Sequence, residues 1–508
     1  MNQLTGKQNK TILYYTMTTA TNAMDNAPTL WINFIPELRE IIILALPIFI
    51  SQLAIIATGF IDTTMAGHFS NNALAGAAIG SSICFPLIIA LNGVLMSVTP
   101  ITAQLVGAGR YLEIGPKVRQ ALWIGLFLSI LMIFGKESVA PLLGAMKLSP
   151  EVTAIVEGYL KGISIGFPAI AGYFVLKSFA EGFGKTRPQM VISIITVLFN
   201  YFANDILIHG KYGFPQLGGA GCGWASGLTF WVFLLCMVFY LFSNEISSKS
   251  GLFSKFGFPS LQGMSEIVIL GLPIGGTLFM ECSIFACITL FISILGPVIV
   301  GGHQIALNFS GMIFSIPLSI GMALTIRTGH AIGRKDPKAA RFTCITGCLF
   351  AMAISMITIN LTLFFSEQIV SIYTKDPDVS KIAVSLLFFG ALYQFSDSIM
   401  TTSQGALRGY KDANMTLILT FVAYWVITMP LGYTIAMTDL IIPGIGARGF
   451  WLSLIAGLTI SGIFLVFRLN FVSAKHIKSK YSASTPSSPI LACSHSVNVP
   501  FGATPKTS

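Results

Sequence analysis

Long uninterrupted runs of apolar residues recur along this chain and constrain its fold more than any other feature. Each run is near the length of about 20 residues that crosses a bilayer as a helix. The runs lie near 41–66, 74–105, 118–140, 155–178, 189–208, 219–242, 267–295, 297–326, 342–365, 381–405, 415–436 and 447–468. A membrane barrel would show short alternating segments instead. The sequence therefore predicts an all-α polytopic membrane protein with twelve transmembrane helices.

Polar segments divide the chain into five parts. The predicted parts are an N-terminal cytoplasmic arm at 1–36, an N-lobe of six spans at 37–242, a cytoplasmic linker at 243–263, a C-lobe of six spans at 264–470 and a disordered cytoplasmic tail at 471–508. The arm has no apolar core followed by a small-residue cleavage site, so it does not read as a signal peptide. The tail has the Ser, Thr and Pro content of a disordered end.

The basic residues predict the orientation of the chain. On the side of the termini, the loops hold Arg110, Lys117, Arg119, Lys185, Arg187, Lys249, Lys255, Arg327, Arg334, Lys335, Lys338, Arg341, Arg408 and Lys411. The opposite loops hold Lys136, Lys147, Lys211, Lys375, Lys381 and Arg448. This bias predicts that both termini are cytoplasmic. The net charge of +10 is then a topology signal, and we expect no nucleic-acid partner.

The two sets of spans repeat one pattern. "LALPIFISQ" at 44 is echoed by "LGLPIGGTL" at 270, "LVGAGR" by "GHAIGR", "FAEGFGKTRPQM" by "GALRGYKDANM" and "GGAGCGWASGL" by "GIGARGFWLSL". Units with an even number of spans enter the membrane in the same orientation. The duplication therefore predicts two six-helix lobes related by a pseudo-two-fold axis along the membrane normal, a construction in which transporters bind substrate between repeats.

Three carboxylates lie inside apolar runs, namely Asp62, Glu281 and Asp397. A charge at the bilayer centre costs at least about 2.5 kcal/mol, so such groups usually face a polar interior and mark a functional site. Tyr393 lies one helical turn before Asp397, where its ring and the carboxylate could together hold a cation. We expect the acids of the two lobes to face a shared cavity. A structural hydrogen bond or a salt bridge to a neighbouring helix is the alternative for each acid.

Two pairs of amides are candidates for substrate binding. Asn200 and Asn204 are one turn apart on the fifth span, and Gln304 and Asn308 repeat that spacing on the eighth. Hydrogen bonding between helices is the alternative role. Glu181 and Asp205 lie near helix ends, where water is available, and are expected to be interfacial.

Longer motifs resemble the multidrug and toxic compound extrusion (MATE) family, in its bacterial NorM-type branch. They include "FIDTTMAGHFSNNALAGAAIGSSICFPLIIALNGVLMSVTPITAQLVGAGR", "GGHQIALNFSGMIFSIPLSIGMALTIRTGHAIGR", "YQFSDSIMTTSQGALRGYKD" and "GIGARGFWLSLIAGL". The likeness covers roughly residues 36–470. It implies two lobes in a V-shaped arrangement in a bacterial inner membrane, and export of organic cationic drugs in exchange for inward Na⁺ or H⁺.

The family's functional residues carry over to positions of this chain. Its acids correspond to Asp62, Glu281 and Asp397, with Tyr393 beside the last, and its paired asparagines to Asn200 and Asn204. The resemblance implies that Glu281 and Asp397 take the transported Na⁺ or H⁺, with no bound cofactor. Asp205 departs from the apolar or aromatic residue expected there, which leaves the outer end of that lobe open.

Three other functions agree less well with the sequence. A flippase for a lipid-linked precursor has a similar architecture but needs a cationic cavity. A channel needs no duplicated lobes with separate acids. An enzyme needs a nucleophile, a base or a metal cluster, and His303 near a span interior has no partner at ligand spacing. We therefore predict a transporter that works as a monomer and is not an enzyme.

Overall fold

The computed structural model describes residues 27–135, 144, 148–254, 257–440 and 443–484. The spans, numbered in chain order, are 1, Ala27–Phe69; 2, Asn71–Leu95 with Val98–Gly107; 3, Ile114–Gly135; 4, Pro150–Ser164 with Phe167–Gly182; 5, Arg187–His209; 6, Ala220–Phe242; 7, Leu261–Ser293; 8, Pro297–Gly333; 9, Pro337–Phe364; 10, Pro377–Gly409; 11, Ala413–Phe421, Val422–Thr428 and Met429–Met437; and 12, Ala447–Ser484. Short helices at Tyr111–Glu113, Lys211–Gly213, Glu245–Ser250 and Ser366–Tyr373 lie between spans.

The number of spans agrees with the sequence prediction. Within the described ranges, eleven helices are long and apolar enough to cross a membrane, and the pair that forms span 4, bent by 45°, makes the twelfth. Span 1 begins at Ala27, inside the segment predicted as an arm, and span 12 continues to Ser484, beyond the predicted end of the C-lobe. The rest of the predicted tail lies outside the described residues.

The bend of span 4 has a local cause. Pro168 follows the break directly, and proline lacks the N–H that would continue the hydrogen-bond ladder. Gly166, at the break, packs so closely on span 6 that a Cβ there would lie 2.8 Å from the Cα of Gly227. The two halves of the span are therefore separate helices that share one path across the lobe.

The lobes meet along four spans. Span 7 packs against the first helix of span 2, and span 8 packs against the second helix of span 2 and against span 1. Glycines permit the close approach: a Cβ on Gly93 would lie 2.6 Å from the Cα of Gly275, and one on Gly107 would lie 2.2 Å from the carbonyl oxygen of His330. Small residues of this kind let membrane helices pack backbone to backbone.

A partly buried ion pair joins the lobes at the end of the bundle where span 1 begins. Glu37 of span 1 pairs with Arg327 of span 8 through both guanidinium Nε and Nη2. Thr343 of span 9 donates to Glu37 at 2.7 Å, and Glu40 lies 3.7 Å from Arg327. The N-lobe carboxylate is thus held by two spans of the C-lobe.

A second cluster joins the lobes, and here the carboxylate belongs to the C-lobe. Lys117 of span 3 donates to Glu266 of span 7 at 2.6 Å, and Lys411 of the C-lobe donates to the same carboxylate at 2.8 Å. In each lobe a glutamate on the first span therefore reaches the third span of the other lobe. We call these two clusters the crossed ion pairs.

Candidate functional site

Asp62 of span 1 is bound by side chains of spans 5 and 6. Asn204 Nδ2 donates to Asp62 Oδ1 at 2.6 Å, and Ser226 Oγ donates to Asp62 Oδ2 at 2.9 Å. Asn204 also donates to Asn200 Oδ1 at 3.1 Å, and both asparagines are fully buried. The one-turn spacing of the asparagines aims both amides at one point inside the N-lobe.

A cavity of about 290 Å³ opens beside Asp62. Its lining residues come from spans 1, 2 and 4, and they are Gly59, Asp62, Thr63, Ala77, Ser81, Ser82, Phe85 and Tyr159. This volume is near the lower end of the range for small-molecule sites, about 300–1,000 Å³. Small, hydroxyl and aromatic side chains surround one carboxylate, so the cavity suits a compact, partly apolar cation.

Glu281 lies inside the C-lobe, where span 7 faces spans 10 and 11. Gln404 Nε2 donates to Glu281 Oε1 at 2.9 Å and lies 3.3 Å from Thr420 Oγ1. Gln404 is buried, with 2% of its surface exposed. An amide that donates to a carboxylate leaves the carboxylate's other oxygen available for a further partner.

Asp397 of span 10 forms a second carboxylate close to Glu281. Tyr393 OH lies 3.4 Å from Asp397 Oδ1, a long hydrogen bond, and both residues are buried. The charges of Glu281 and Asp397 interact, and Tyr424 of span 11 lies within reach of both. Tyr424 belongs to a π-helical turn at Val422–Thr428, a local deviation that is frequent at functional sites.

Two aromatic rings pack against the ring of Tyr393. Its ring packs edge-on against Phe285 and Trp451, with centroids 6.3 Å and 6.1 Å away. Trp451 in turn donates to His303 Nδ1 at 3.2 Å. A cavity of about 10 Å³ adjoins Tyr393 and Asp397, close to the size of one water-sized probe. This space accommodates a small ion, whereas an organic cation is too large for it.

Arg408 is a residue of this cluster that the sequence prediction missed. The sequence assigned it to a loop, but it lies on span 10 with only 4% of its surface exposed. Its Nη2 lies 3.4 Å from Gln404 Oε1, and its charge interacts with that of Glu281. Asp397, Gln404 and Arg408 are spaced by seven and four residues, which places them on one helix face. That spacing is the sequence signal that could have identified Arg408 as part of the cluster.

The predicted site residues thus fall into two separate groups. Asp62, Asn200 and Asn204 lie together in the N-lobe, and Glu281, Asp397 and Tyr393 lie together in the C-lobe. The hydrogen bonds of each acid run to spans of its own lobe, whereas the sequence had placed the acids toward a shared cavity. Asp62 accepts hydrogen bonds on both carboxylate oxygens from side chains of its own lobe, which accounts for its position there.

Gln304 and Asn308 lie apart from both groups. Both side chains are exposed, and Asn308 Oδ1 accepts from Tyr373 OH at 3.0 Å on a short helix between spans 9 and 10. No contact described in the structure joins either amide to Asp62, Glu281 or Asp397. Their predicted part in substrate binding stays a prediction.

The expectation for Glu181 was wrong. Its side chain is fully buried, accepts from Thr99 at 3.2 Å and lies 3.9 Å from Lys177 Nζ. The tight packing of Gly182 on Thr102 of span 2 closes this helix end to water. Asp205, in contrast, is partly exposed and pairs with Lys211 at 2.7 Å, as expected for an interfacial acid.

Resident metal is not indicated in the part of the chain that the structure describes. No group of three or more His, Cys, Asp and Glu side chains there has the arrangement of a metal site. Twelve spans in two repeated lobes, with hydrogen-bonded carboxylates in the interior of each, define a polytopic transporter of the two-lobe class.

The chain belongs to the MatE family, whose model matches residues 47–206 and 273–434, one match in each lobe. It is 44% identical over 436 residues to the multidrug resistance protein PmpM of Pseudomonas aeruginosa, covering 85% of this chain and 91% of that protein. It is 37% identical over 443 residues to the multidrug resistance protein NorM of Photobacterium profundum, covering 87% and 97%. The predicted NorM-type family and the transporter class are thereby confirmed.

Solved structures share the fold. The eukaryotic MATE transporter AtDTX14 aligns with a TM-score of 0.77 at 18% identity, covering 88% of this chain and 99% of that one. An outward-facing multidrug resistance MATE family transporter aligns with a TM-score of 0.79 at 17% identity, covering 87% and 97%. These matches confirm the two-lobe, twelve-helix architecture.

Proposed function

We propose that this protein is a multidrug efflux antiporter of a bacterial inner membrane. It exports organic cations and takes up Na⁺ or H⁺ in exchange, by alternating access of its two lobes. The observation that carries this proposal is the pair of interacting carboxylates Glu281 and Asp397, with a space of ion size beside Asp397, in a chain that also holds a larger acid-lined cavity in its other lobe. The names of its relatives, which describe multidrug resistance, support the cargo class.

The two groups of residues suit different cargoes. Asp397 and Tyr393 adjoin a space of only about 10 Å³, and together with Glu281 they offer oxygen ligands, which suits Na⁺ or a proton. Asp62 borders a cavity of about 290 Å³ and is held by Asn204, so it offers a negative charge to an organic cation. Asn200 and Asn204 then orient Asp62 and donate to polar groups of the substrate.

Electrostatics links the two steps. An inward cation that neutralises a buried carboxylate removes the charge that disfavours closing the lobes around it. The inward concentration gradient of Na⁺ or H⁺ drives drug export against its gradient, and each net elementary charge that a cycle moves inward adds about 2.3 kcal/mol per 100 mV. The bias of basic residues supports cytoplasmic termini, and the lobes are joined at that end by the crossed ion pairs. We propose that the monomer is the transporting unit.

A flippase for lipid-linked anions is less well supported. Such a cargo requires a cationic cavity to bind its phosphates. The cavity beside Asp62 has no basic side chain among its lining residues. The C-lobe group has two carboxylates against one guanidinium.

The proposal is tested by transport in vesicles. Purified protein is reconstituted into proteoliposomes, and the vesicles are loaded with a fluorescent organic cation. Efflux of this cation is then measured under a Na⁺ gradient and, separately, under an H⁺ gradient. Asp397→Asn is expected to insert normally and to abolish ion-driven efflux, because the amide carries no charge to exchange.

Asp205→Asn is the matched control, because it removes an acid that pairs with Lys211 outside both groups. It is expected to transport like the wild type. Efflux by Asp397→Asn at the wild-type rate would remove Asp397 from the mechanism, and no efflux by the wild type under either gradient would refute antiport.

A further inference from the structure

The C-lobe group contains a permanent positive charge as well as its two carboxylates. Arg408 stays protonated at any physiological pH, and a buried charge without a counter-charge is strongly unfavourable. The charge of Glu281 acts on Arg408, and Gln404 contacts both side chains. The group therefore has two negative side chains, Glu281 and Asp397, and one positive side chain, which leaves a single net negative charge when both acids are ionised.

Gln404 connects the opposite charges. Its Nε2 donates to Glu281 Oε1 at 2.9 Å, and its Oε1 faces Arg408 Nη2 at 3.4 Å. The amide is fixed further by Thr420, 3.3 Å from Nε2. A bridging amide of this kind keeps the guanidinium from a direct salt bridge with Glu281. The carboxylate therefore remains free to bind one transported cation, while the positive charge of Arg408 still acts on it.

We infer that Arg408 is the resident counter-charge of the C-lobe group and limits it to one monovalent cation at a time. This inference rests on the proposed function and adds the capacity of the ion site. The first cation neutralises the group, and a second one would meet a net positive charge in a buried, low-dielectric region. Arg408 is thus a positioning residue that sets how many ions one cycle carries, without touching the ion itself.

The inference is tested by equilibrium binding to the purified full-length protein. The probe is radiolabelled tetraphenylphosphonium, a permanently charged monovalent cation. It is displaced by Na⁺ at fixed pH and, separately, by protons without Na⁺. The wild type is compared with Glu281→Gln, Arg408→Gln, Glu281→Gln/Arg408→Gln and Arg408→Lys, with size-exclusion profiles as a check of folding.

The variants change the net charge of the group in known steps. Glu281→Gln removes the net negative charge of the group. Competition by the displacing ion is therefore expected to weaken about tenfold or more, the effect of losing one nearby unit charge. The double variant Glu281→Gln/Arg408→Gln restores that net charge and is expected to show single-site competition that is clearly stronger than that of Glu281→Gln. Arg408→Gln doubles the net charge and is expected to show displacement by more than one ion. Arg408→Lys retains the charge and is expected to behave as the wild type.

The outcomes separate this inference from the proposed function. A double variant that is no better than Glu281→Gln, or that does not fold, overturns the counter-charge role, as does a folded Arg408→Gln with wild-type displacement. If the wild type binds the probe and neither Na⁺ nor protons displace it, the proposed coupling is overturned instead. Arg468→Gln, which removes an arginine paired with Asp412 at 2.6 Å elsewhere in the C-lobe, controls for loss of an arginine in general.

Discussion

The crossed ion pairs allow a quantitative prediction for the equilibrium between closed and open lobes. The perturbation is the double variant Glu37→Gln/Glu266→Gln, which removes the N-lobe carboxylate of one cluster and the C-lobe carboxylate of the other. Both substitutions keep the size of the side chain. Neither residue belongs to the groups around Asp62 and Glu281, so binding of cargo should not be affected directly.

The expected magnitude follows from the exposure of each cluster. The Glu266 side chain is 38% exposed and its lysines are 33% and 28% exposed, so solvent screens this cluster and it contributes at most about 1 kcal/mol. Glu37 and Arg327 are only 14% and 22% exposed, and hydrogen bonds to a charged group there contribute about 2 kcal/mol. Loss of both contributions, about 3 kcal/mol together, is expected to shift the equilibrium toward opening at this end by about 100-fold.

Distances between the lobes give the assay. Spin labels are placed on cysteines at Leu112, which is 76% exposed, and at Lys335, also exposed, after replacement of the native cysteines. These positions lie in the loops that follow the second span of each lobe. The double variant is expected to gain a population with a longer distance between the labels.

The control is Glu245→Gln, because Glu245 pairs at 2.7 Å with Lys249 on its own short helix and does not connect the lobes. It is expected to leave the distances unchanged. A folded double variant with the wild-type distance distribution would refute the reasoning, since the ion pairs would then contribute nothing to closure.

Three further substitutions test separate parts of the molecule. Gly107→Ala places a Cβ 2.2 Å from the carbonyl oxygen of His330, so we expect a lower Tm than for Gly311→Ala, whose Cβ meets nothing within 4 Å; equal Tm values would argue against tight packing of the lobes. Asp62→Asn is expected to weaken binding of tetraphenylphosphonium about tenfold or more, measured by equilibrium binding, and an unchanged Kd would exclude Asp62 from the substrate cavity. Gln404→Leu leaves Glu281 without its described donor and is expected to lower stability by about 1–3 kcal/mol, seen as a lower Tm; a Tm equal to that of the wild type would show that Glu281 has another partner.

The spans were predictable because the bilayer leaves the chain few choices. Apolar runs of this length must satisfy their backbone groups internally, so they form helices. The ends of the helices were less predictable, since hydropathy falls where the membrane ends while the helix continues. Span 1 therefore starts at Ala27 and span 12 reaches Ser484, in segments that polarity alone assigned to an arm and a tail.

The site was predictable only where the signal is local. A carboxylate inside an apolar run stands out in the sequence, and one-turn spacing related Asn200 to Asn204. The bridge from Glu281 to Arg408 depends on residues more than 100 positions apart in the chain, and the burial of Glu181 depends on span 2 packing over it. Neither property is written in a hydropathy pattern or in a motif.

The crossing of Gly93 and Gly275 has a mechanical consequence. It lies partway along spans 2 and 7, where the two backbones approach directly and the side chains of Val94 and Leu278 flank the contact, so the helices can pivot there with little change in separation. Taking half the hydrocarbon thickness, about 15 Å, as the lever arm, a turn of about 20° displaces either end by about 5 Å. A pivot at this glycine contact thus converts a small rotation into an opening wide enough for water at the membrane surface.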